Sequence, residues 1–172
     1  MAASSHCFTW HSARCIEAPR ARIAGKSSTA DRIASAAVAK WRLVGRERAV
    51  AETQAFLKQR PQADLVTQSG PMLVIDGRLH PRFDRRSTSL KARTGVGVRA
   101  DGKVIFALSE EAVSFDAFAH LFRDALNCPN ALFLDGGSAS SLYAPTLNHP
   151  SNIVPLGPML AVFEANAGTP QE

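Results

Sequence analysis

The feature that most constrains the fold is a short apolar run that ends at a carboxylate and two glycines. Residues 131–134 are Ala-Leu-Phe-Leu, and Asp135, Gly136 and Gly137 come directly after them. The run is typical of a short buried β-strand, and paired glycines let backbone N–H groups approach a ligand without a Cβ in the way. A carboxylate at a strand end beside such a turn favours a functional site. The alternative is a tight turn in which the aspartate caps its own backbone.

Three serines after the glycines add hydroxyl groups to this predicted site. Ser138, Ser140 and Ser141 both donate and accept hydrogen bonds. Such groups suit a ligand that carries an anion or sugar hydroxyls. The alternative is that the serines cap the turn.

The charge of the chain is distributed unevenly, and this bears on possible partners. Residues 1–48 hold nine Lys/Arg and three Asp/Glu, whereas residues 49–172 hold eleven and twelve. Because the globular part has no excess positive charge, we expect no nucleic-acid partner. An alternative is that residues 14–48 form a basic arm that contacts nucleic acid or anionic lipid.

Composition also argues against several other classes of protein. No apolar run approaches the roughly 18 residues of a membrane span, and no signal peptide is recognisable. The cysteines, Cys7, Cys15 and Cys128, are too few and too scattered for a disulfide framework. Cys7 and Cys15 lie near two histidines, but their spacing matches no common zinc pattern. We therefore expect no metal site.

Residues 1–46 differ in character from the rest of the chain, being rich in Ala, Ser and Arg. A capping pattern at residues 28–31 predicts one helix, with Ile33, Ala37 and Trp41 on a narrow apolar face. We interpret this segment as a leader that is non-native or disordered. The alternative is a basic amphipathic arm for a membrane or a partner protein.

Residues 47–166 are predicted to form one α+β domain, with a tail at residues 167–172. We expect a mixed, largely antiparallel sheet with one or two helices packed on it, and a loop over residues 78–92. The predicted helices are Ala49 to Gln59 and a second that Ser114 caps and that ends near Leu126. The predicted strands are Leu65–Gln68, Met72–Ile75, Thr94–Val98 and Lys103–Leu108 joined by a type I′ turn at Asp101-Gly102, the strand to Asp135, and Met159–Phe163.

Four motifs follow one another in order over about residues 47–164. They are Gln-Ser-Gly-Pro at 68–71, Arg-Thr-Gly-Val-Gly at 93–97, Leu-Asp-Gly-Gly-Ser at 134–138 and the closing strand at 156–163. This ordered set resembles the phosphodiester glycosidase family. The resemblance implies a hydrolase that releases a sugar from a sugar-1-phosphodiester, in bacterial envelope or exopolysaccharide metabolism. Its ligand is then a sugar phosphate or glycan; the sequence is silent on cofactors.

The resemblance implies two catalytic residues. Arg93 would offer a guanidinium fork to the phosphodiester oxygens, and Asp135 would act as an acid/base or hold another group in place. The alternative for Arg93 is a surface cation beside the hairpin. The predicted substrate-binding residues are Gln68, Ser69, Thr94, Gly136, Gly137, Ser138, Ser140 and Ser141.

The chain also departs from the family pattern. Family members carry an Asn-Gly-Gly or Asn-Ala-Gly motif and, in bacteria, a Lys-x-Asn-Gly segment, and residues 1–46 contain neither. We expect an incomplete domain whose leader arises from a frameshift or misplaced start, and export of the full-length protein. Because glycoside cleavage usually uses two carboxylates and only Asp135 stands out, a non-catalytic carbohydrate- or envelope-binding module is the alternative.

Overall fold

A computed structural model describes residues 7–10, 13–18, 21–24, 37–41, 48–61, 65–137, 140–143 and 160–164 of the chain. The helices are α1 (Thr53–Gln59) and α2 (Phe115–His120), and a π-helical segment (Leu121–Ala125) continues α2. The strands are β1 (Cys7–Trp10), β2 (Ala13–Ala18), β3 (Ala21–Ala24), β4 (Ala37–Trp41), β5 (Arg48–Ala51), β6 (Leu65–Ser69), β7 (Met72–Ile75), β8 (Arg78–Leu79), β9 (Arg93–Val98), β10 (Val104–Ser109), β11 (Asn130–Gly136) and β12 (Ala161–Glu164).

The strands form one large sheet and two small ones. Among the described residues, seven strands lie in the order β1-β2-β10-β9-β11-β7-β8, three lie in the order β5-β4-β6, and β12 pairs with β3. The pairings between these strands are antiparallel. The prediction of an α+β fold with a largely antiparallel sheet is confirmed. In the part of the chain that the structure describes, no helix is long and apolar enough to cross a membrane.

Helix α2 packs on one face of the central strands, and two glycines make the close contact possible. Strand β9 alternates, so that Gly95 and Gly97 face the helix while Val96 and Val98 join the apolar cluster on the other face. A Cβ at Gly95 would lie 3.0 Å from ring atoms of both Phe118 and Phe122. Because Gly95 and Gly97 have no side chain, the two phenylalanine rings can fill that volume.

Helix α2 begins where the sequence predicts, but it gives way to a π-helical segment after His120. The Ser114 hydroxyl accepts a hydrogen bond from the Ala117 backbone N–H, so the predicted N-cap is confirmed. Beyond His120 the helix widens, and the backbone N–H of Leu126 donates to the carbonyl of Leu121 (3.0 Å). This five-residue step is a π-helical turn, for which apolar spacing gives no signal.

The predicted type I′ turn occurs at a different dipeptide. Asp76 and Gly77 have φ of 47° and 77°, and they join Ile75 to its register partner Arg78. That is the two-residue turn whose central residues both need positive φ. The predicted β9–β10 hairpin is confirmed, but its predicted turn type is wrong, because three residues separate the paired Arg99 and Lys103, and of these only Gly102 has positive φ.

Three helix and loop predictions need correction. The predicted helix from Ala49 is wrong at its start, because β5 lies in a sheet with Val50 buried. The predicted helical face through Ala37 and Trp41 is also wrong, because these residues form β4, which pairs with β5 and β6; residues 28–36 lie outside the described residues. Strand β8 occupies the start of the predicted loop. The domain boundary at residue 46 stays a prediction.

We predict that Gly97→Ala destabilises the fold by about 1–3 kcal/mol, the usual cost of overpacking a core. The new Cβ would lie 2.7 Å from Cys128 Sγ and 2.8 Å from Phe122 Cδ1. Urea unfolding measures the loss. Cys128→Ala in the same chain removes the sulfur, so the two substitutions together should cost less than the sum of each alone. Strictly additive effects would contradict this packing.

Candidate functional site

The candidate site lies at the end of the sheet where β9 begins and β11 ends. Arg93 is the register partner of Gly136, and Thr94 is the register partner of Asp135. The register shifts between Phe133 and Asp135, which is a β-bulge of the kind often found beside active sites. Two motifs that are far apart in the sequence therefore meet at one end of the sheet.

Thr94 fixes the backbone that carries the candidate catalytic carboxylate. Its hydroxyl donates to the Asp135 carbonyl and accepts from the Asp135 backbone N–H, both at 3.1 Å. The Thr94 side chain is buried, whereas Asp135 is exposed. Within the site, Asp135 Oδ1 accepts from the backbone N–H of Gly136 at 2.7 Å. The backbone is thus held rigidly while the carboxylate faces solvent.

Arg93 is buried, with 2% of its surface exposed. Its guanidinium donates from Nε to the Val113 carbonyl (2.9 Å) and from Nη2 to the Ser89 carbonyl (3.0 Å). The guanidinium carbon lies 3.6 Å from the ring centroid of Phe115, a cation–π contact. Burial lowers the pKa of Arg93 from its ordinary value, but arginine remains charged at physiological pH. The alternative of a surface cation is wrong.

The glycine turn uses its backbone amides inside the protein. Gly137 has φ of 73° and donates from its N–H to the Ala92 carbonyl (2.8 Å). The buried Ser140 donates from its hydroxyl to the same carbonyl (3.4 Å), and its own N–H donates to the Gly137 carbonyl (3.2 Å). Since Gly136 also donates to Asp135, anion binding by these two amides stays a prediction.

Most of the remaining predicted residues lie near this edge. The Ser69 hydroxyl donates to the Leu134 carbonyl (3.0 Å), which holds the end of β6 against β11. Gln68 is exposed and Ser141 is half-buried, and Ser138 lies outside the described residues. The structure brings together Ser69, Arg93, Thr94, Asp135, Gly136, Gly137 and Ser140.

Sequence reasoning missed two aromatic residues here. Phe115 lies in the second predicted helix, directly after its cap, and nothing in the local sequence indicates its contact with Arg93. Tyr143, the one tyrosine of the chain, is 79% exposed and comes after Leu142, which packs against the core. The described residues contain no group of three or more His, Cys, Asp or Glu arranged to hold a metal ion.

Comparison with known proteins yields a family and a fold. A family model described as phosphodiester glycosidase matches residues 21–163. An Escherichia coli K12 protein, "Uncharacterized protein YigE", is 38% identical over 79 residues, which are 46% of this chain and 31% of that protein. The chain therefore spans about a third of this curated relative.

Two solved structures share the fold at 18% identity. One is the zebrafish N-acetylglucosamine-1-phosphodiester alpha-N-acetylglucosaminidase catalytic domain auto-inhibited by its pro-peptide, with a TM-score of 0.51 over 76% of this chain and 52% of that chain. The other is a hypothetical protein from Synechocystis, with a TM-score of 0.50 over 81% of this chain and 35% of that chain. At this identity they show the fold alone.

We predict that Gly137→Ala destabilises the site by roughly 1–2 kcal/mol, because an L-residue is strained in the left-handed region. Nothing lies within 4 Å of the position of the added Cβ, so the cost is conformational rather than steric. Gly137→Asn should cost less, since asparagine tolerates positive φ. Thermal unfolding measures both variants. An alanine variant as stable as the asparagine variant would contradict the turn geometry.

Proposed function

The chain belongs to the phosphodiester glycosidase family, and we propose that it hydrolyses a sugar-1-phosphodiester and releases the sugar. The observation that carries the proposal is the solvent-facing carboxylate of Asp135, held on a clamped strand end directly beside Thr94. The zebrafish protein that shares the fold is named for cleavage of such a phosphodiester, which supports the same substrate class here.

Hydrolysis of a sugar-1-phosphodiester needs few catalytic groups. Water adds to the anomeric carbon of the sugar, the bond from that carbon to the phosphate oxygen breaks, and the phosphate leaves with the bonding electrons. Asp135 would take the proton from the attacking water or orient it, as carboxylates do in glycoside hydrolysis. Because phosphate is a good leaving group, the demand for a separate general acid is reduced.

The other site residues would bind the substrate. The Arg93 charge would favour the phosphodiester anion through space rather than by contact, since its side chain is 2% exposed and a cation in a buried setting acts more strongly than one in water. Gln68, Ser141 and the exposed Tyr143 would contact the sugar. Ser69, Thr94 and Ser140 hold the strand ends around it.

We also propose a setting for this activity, in bacterial envelope or exopolysaccharide metabolism after export of the protein. A relative at 38% identity is from Escherichia coli and a structural neighbour is from Synechocystis, which supports a bacterial role. Phosphodiester-linked sugars are repeated units of many bacterial surface polymers, and this chemistry matches the proposed substrate.

The alternative is a module that binds a sugar phosphate without turnover. It is favoured by the single carboxylate that sequence and described structure place at the site, whereas glycoside cleavage usually uses two. The two proposals differ in what the wild-type chain does to a bound ligand, which a direct assay separates.

We predict that Asp135→Asn lowers kcat roughly 100-fold or more, the usual contribution of a positioned acid/base, and leaves ligand affinity nearly unchanged. The assay measures release of free N-acetylglucosamine from the methyl diester of N-acetylglucosamine 1-phosphate. Asp101→Asn is the matched control, because Asp101 lies in the β9–β10 turn at the opposite end of the sheet. Hydrolysis that survives Asp135→Asn would overturn the catalytic assignment, and binding without any hydrolysis by the wild type would favour the alternative.

A further inference from the structure

A cluster of exposed cations lies beside the candidate site. The segment of residues 80–91, here called the basic loop, contains one carboxylate, Asp84, and four cations. All four are exposed: Arg82, Arg85, Arg86 and Lys91. Outside the loop, residues 49–172 hold seven Lys/Arg and eleven Asp/Glu. Within residues 49–172, the excess of positive charge is therefore confined to this loop.

The loop is tied directly to the residues that hold Arg93. Its Phe83 ring stacks on Phe115, with centroids 5.3 Å apart and planes at 8°, and Phe115 carries the Arg93 guanidinium on its ring face. The Ser89 carbonyl accepts from Arg93 Nη2 (3.0 Å). Lys91 and Val113 exchange backbone hydrogen bonds of 3.2 and 3.0 Å. These contacts hold the basic loop in place beside the site.

Ion pairing within the described part of the chain does not neutralise these cations, since its salt bridges fall on the Arg99–Lys103 turn and on the Asp116–Asp124 segment. The Asp84 carboxylate is occupied by the backbone N–H of Arg86 (2.8 Å). Burial, and then the charge of Arg82, lower the pKa of His80, so its ring is neutral near pH 7. The loop therefore presents a net charge of about +3 to solvent.

We propose that the basic loop is a second anion subsite, which binds a further phosphate of a substrate whose sugars are linked by repeated phosphodiesters. The proposal rests on the proposed function and names its substrate class as a polyanionic glycan. One phosphodiester lies at Asp135, and the next along the polymer lies against the loop. Exposed arginines attract such a chain from solution and keep it in register.

Nucleic acid is the other polymer with repeated phosphodiesters, and the loop suits it less well. Proteins that bind single strands stack bases on exposed aromatic rings, whereas the Phe83 ring is packed against His80 and Phe115. The rest of residues 49–172 carries more Asp/Glu than Lys/Arg, which opposes extended contact of this segment with a nucleic acid.

The test measures binding of a synthetic tetramer of N-acetylglucosamine joined by 1,6-phosphodiesters, with the uncharged N-acetylglucosamine tetramer as reference. R82Q/R85Q/R86Q in an Asp135→Asn background should raise the Kd for the charged tetramer about tenfold, since exposed charge contacts each contribute modestly. The matched control is K58Q/R60Q/R78Q, which removes the same charge from exposed positions outside the loop, at the end of α1 and on β8. Its Kd should stay within about twofold of the parent.

Two further readouts make the test discriminating. The Kd of the parent should rise between about 20 mM and about 200 mM salt, and more steeply than the Kd of the loop variant. Hydrolysis of the methyl monodiester by R82Q/R85Q/R86Q, with Asp135 intact, should match the wild type, because that substrate carries no second phosphate.

Equal Kd values for the loop variant and its control would overturn the proposal, as would tighter binding of a DNA tetramer than of the glycan tetramer. If no substrate is hydrolysed while the loop variant still weakens binding of the charged tetramer, the proposed hydrolysis fails and the anion subsite is supported.

Discussion

The buried guanidinium of Arg93 is the contact on which the arrangement of the site depends. Removing a cation from water is costly unless hydrogen bonds and favourable electrostatics compensate. Two backbone carbonyls and the ring face of Phe115 supply this compensation. Those partners come from three segments, namely the basic loop, the turn before α2, and α2 itself. The charge therefore fixes these segments around the first residue of β9.

The sheet places a second set of residues against this anchor. Because β9 and β11 are antiparallel, the start of one lies beside the end of the other, and Arg93 pairs with Gly136. Neighbouring residues of a strand point to opposite faces, so Thr94 points away from the helix and clamps the Asp135 backbone. A buried positive charge and an exposed carboxylate therefore lie at the same end of the sheet.

Much of this fold can be predicted from local sequence patterns. The continuous apolar run of β10, the cap at Ser114 and the strand that leads to Asp135 are all where the sequence predicts them. The errors arise where long-range pairing overrides local preference. Val50 lies in a segment predicted to be helical but is buried in a sheet. The turn between β9 and β10 has three residues, of which only Gly102 has positive φ.

The candidate site could be predicted only in part. The motif after β11 and the resemblance to a family identified Asp135 and Arg93, since both belong to recognisable local patterns. The burial of Arg93, its contact with Phe115 and the anchoring of the basic loop depend on residues separated by tens of positions. No local spacing encodes them, and only the folded chain brings them together.

The most direct test of the proposed site is an NMR titration of the chain with N-acetylglucosamine 1-phosphate, monitored by backbone amide shifts. The ligand joins the sugar and the phosphate that the site is proposed to bind. We expect the largest shifts at Thr94, Asp135, Gly136, Gly137 and Ser140, with smaller ones in the basic loop. Largest shifts at the Arg99–Lys103 turn, at the opposite end of the sheet, would contradict the location of the site.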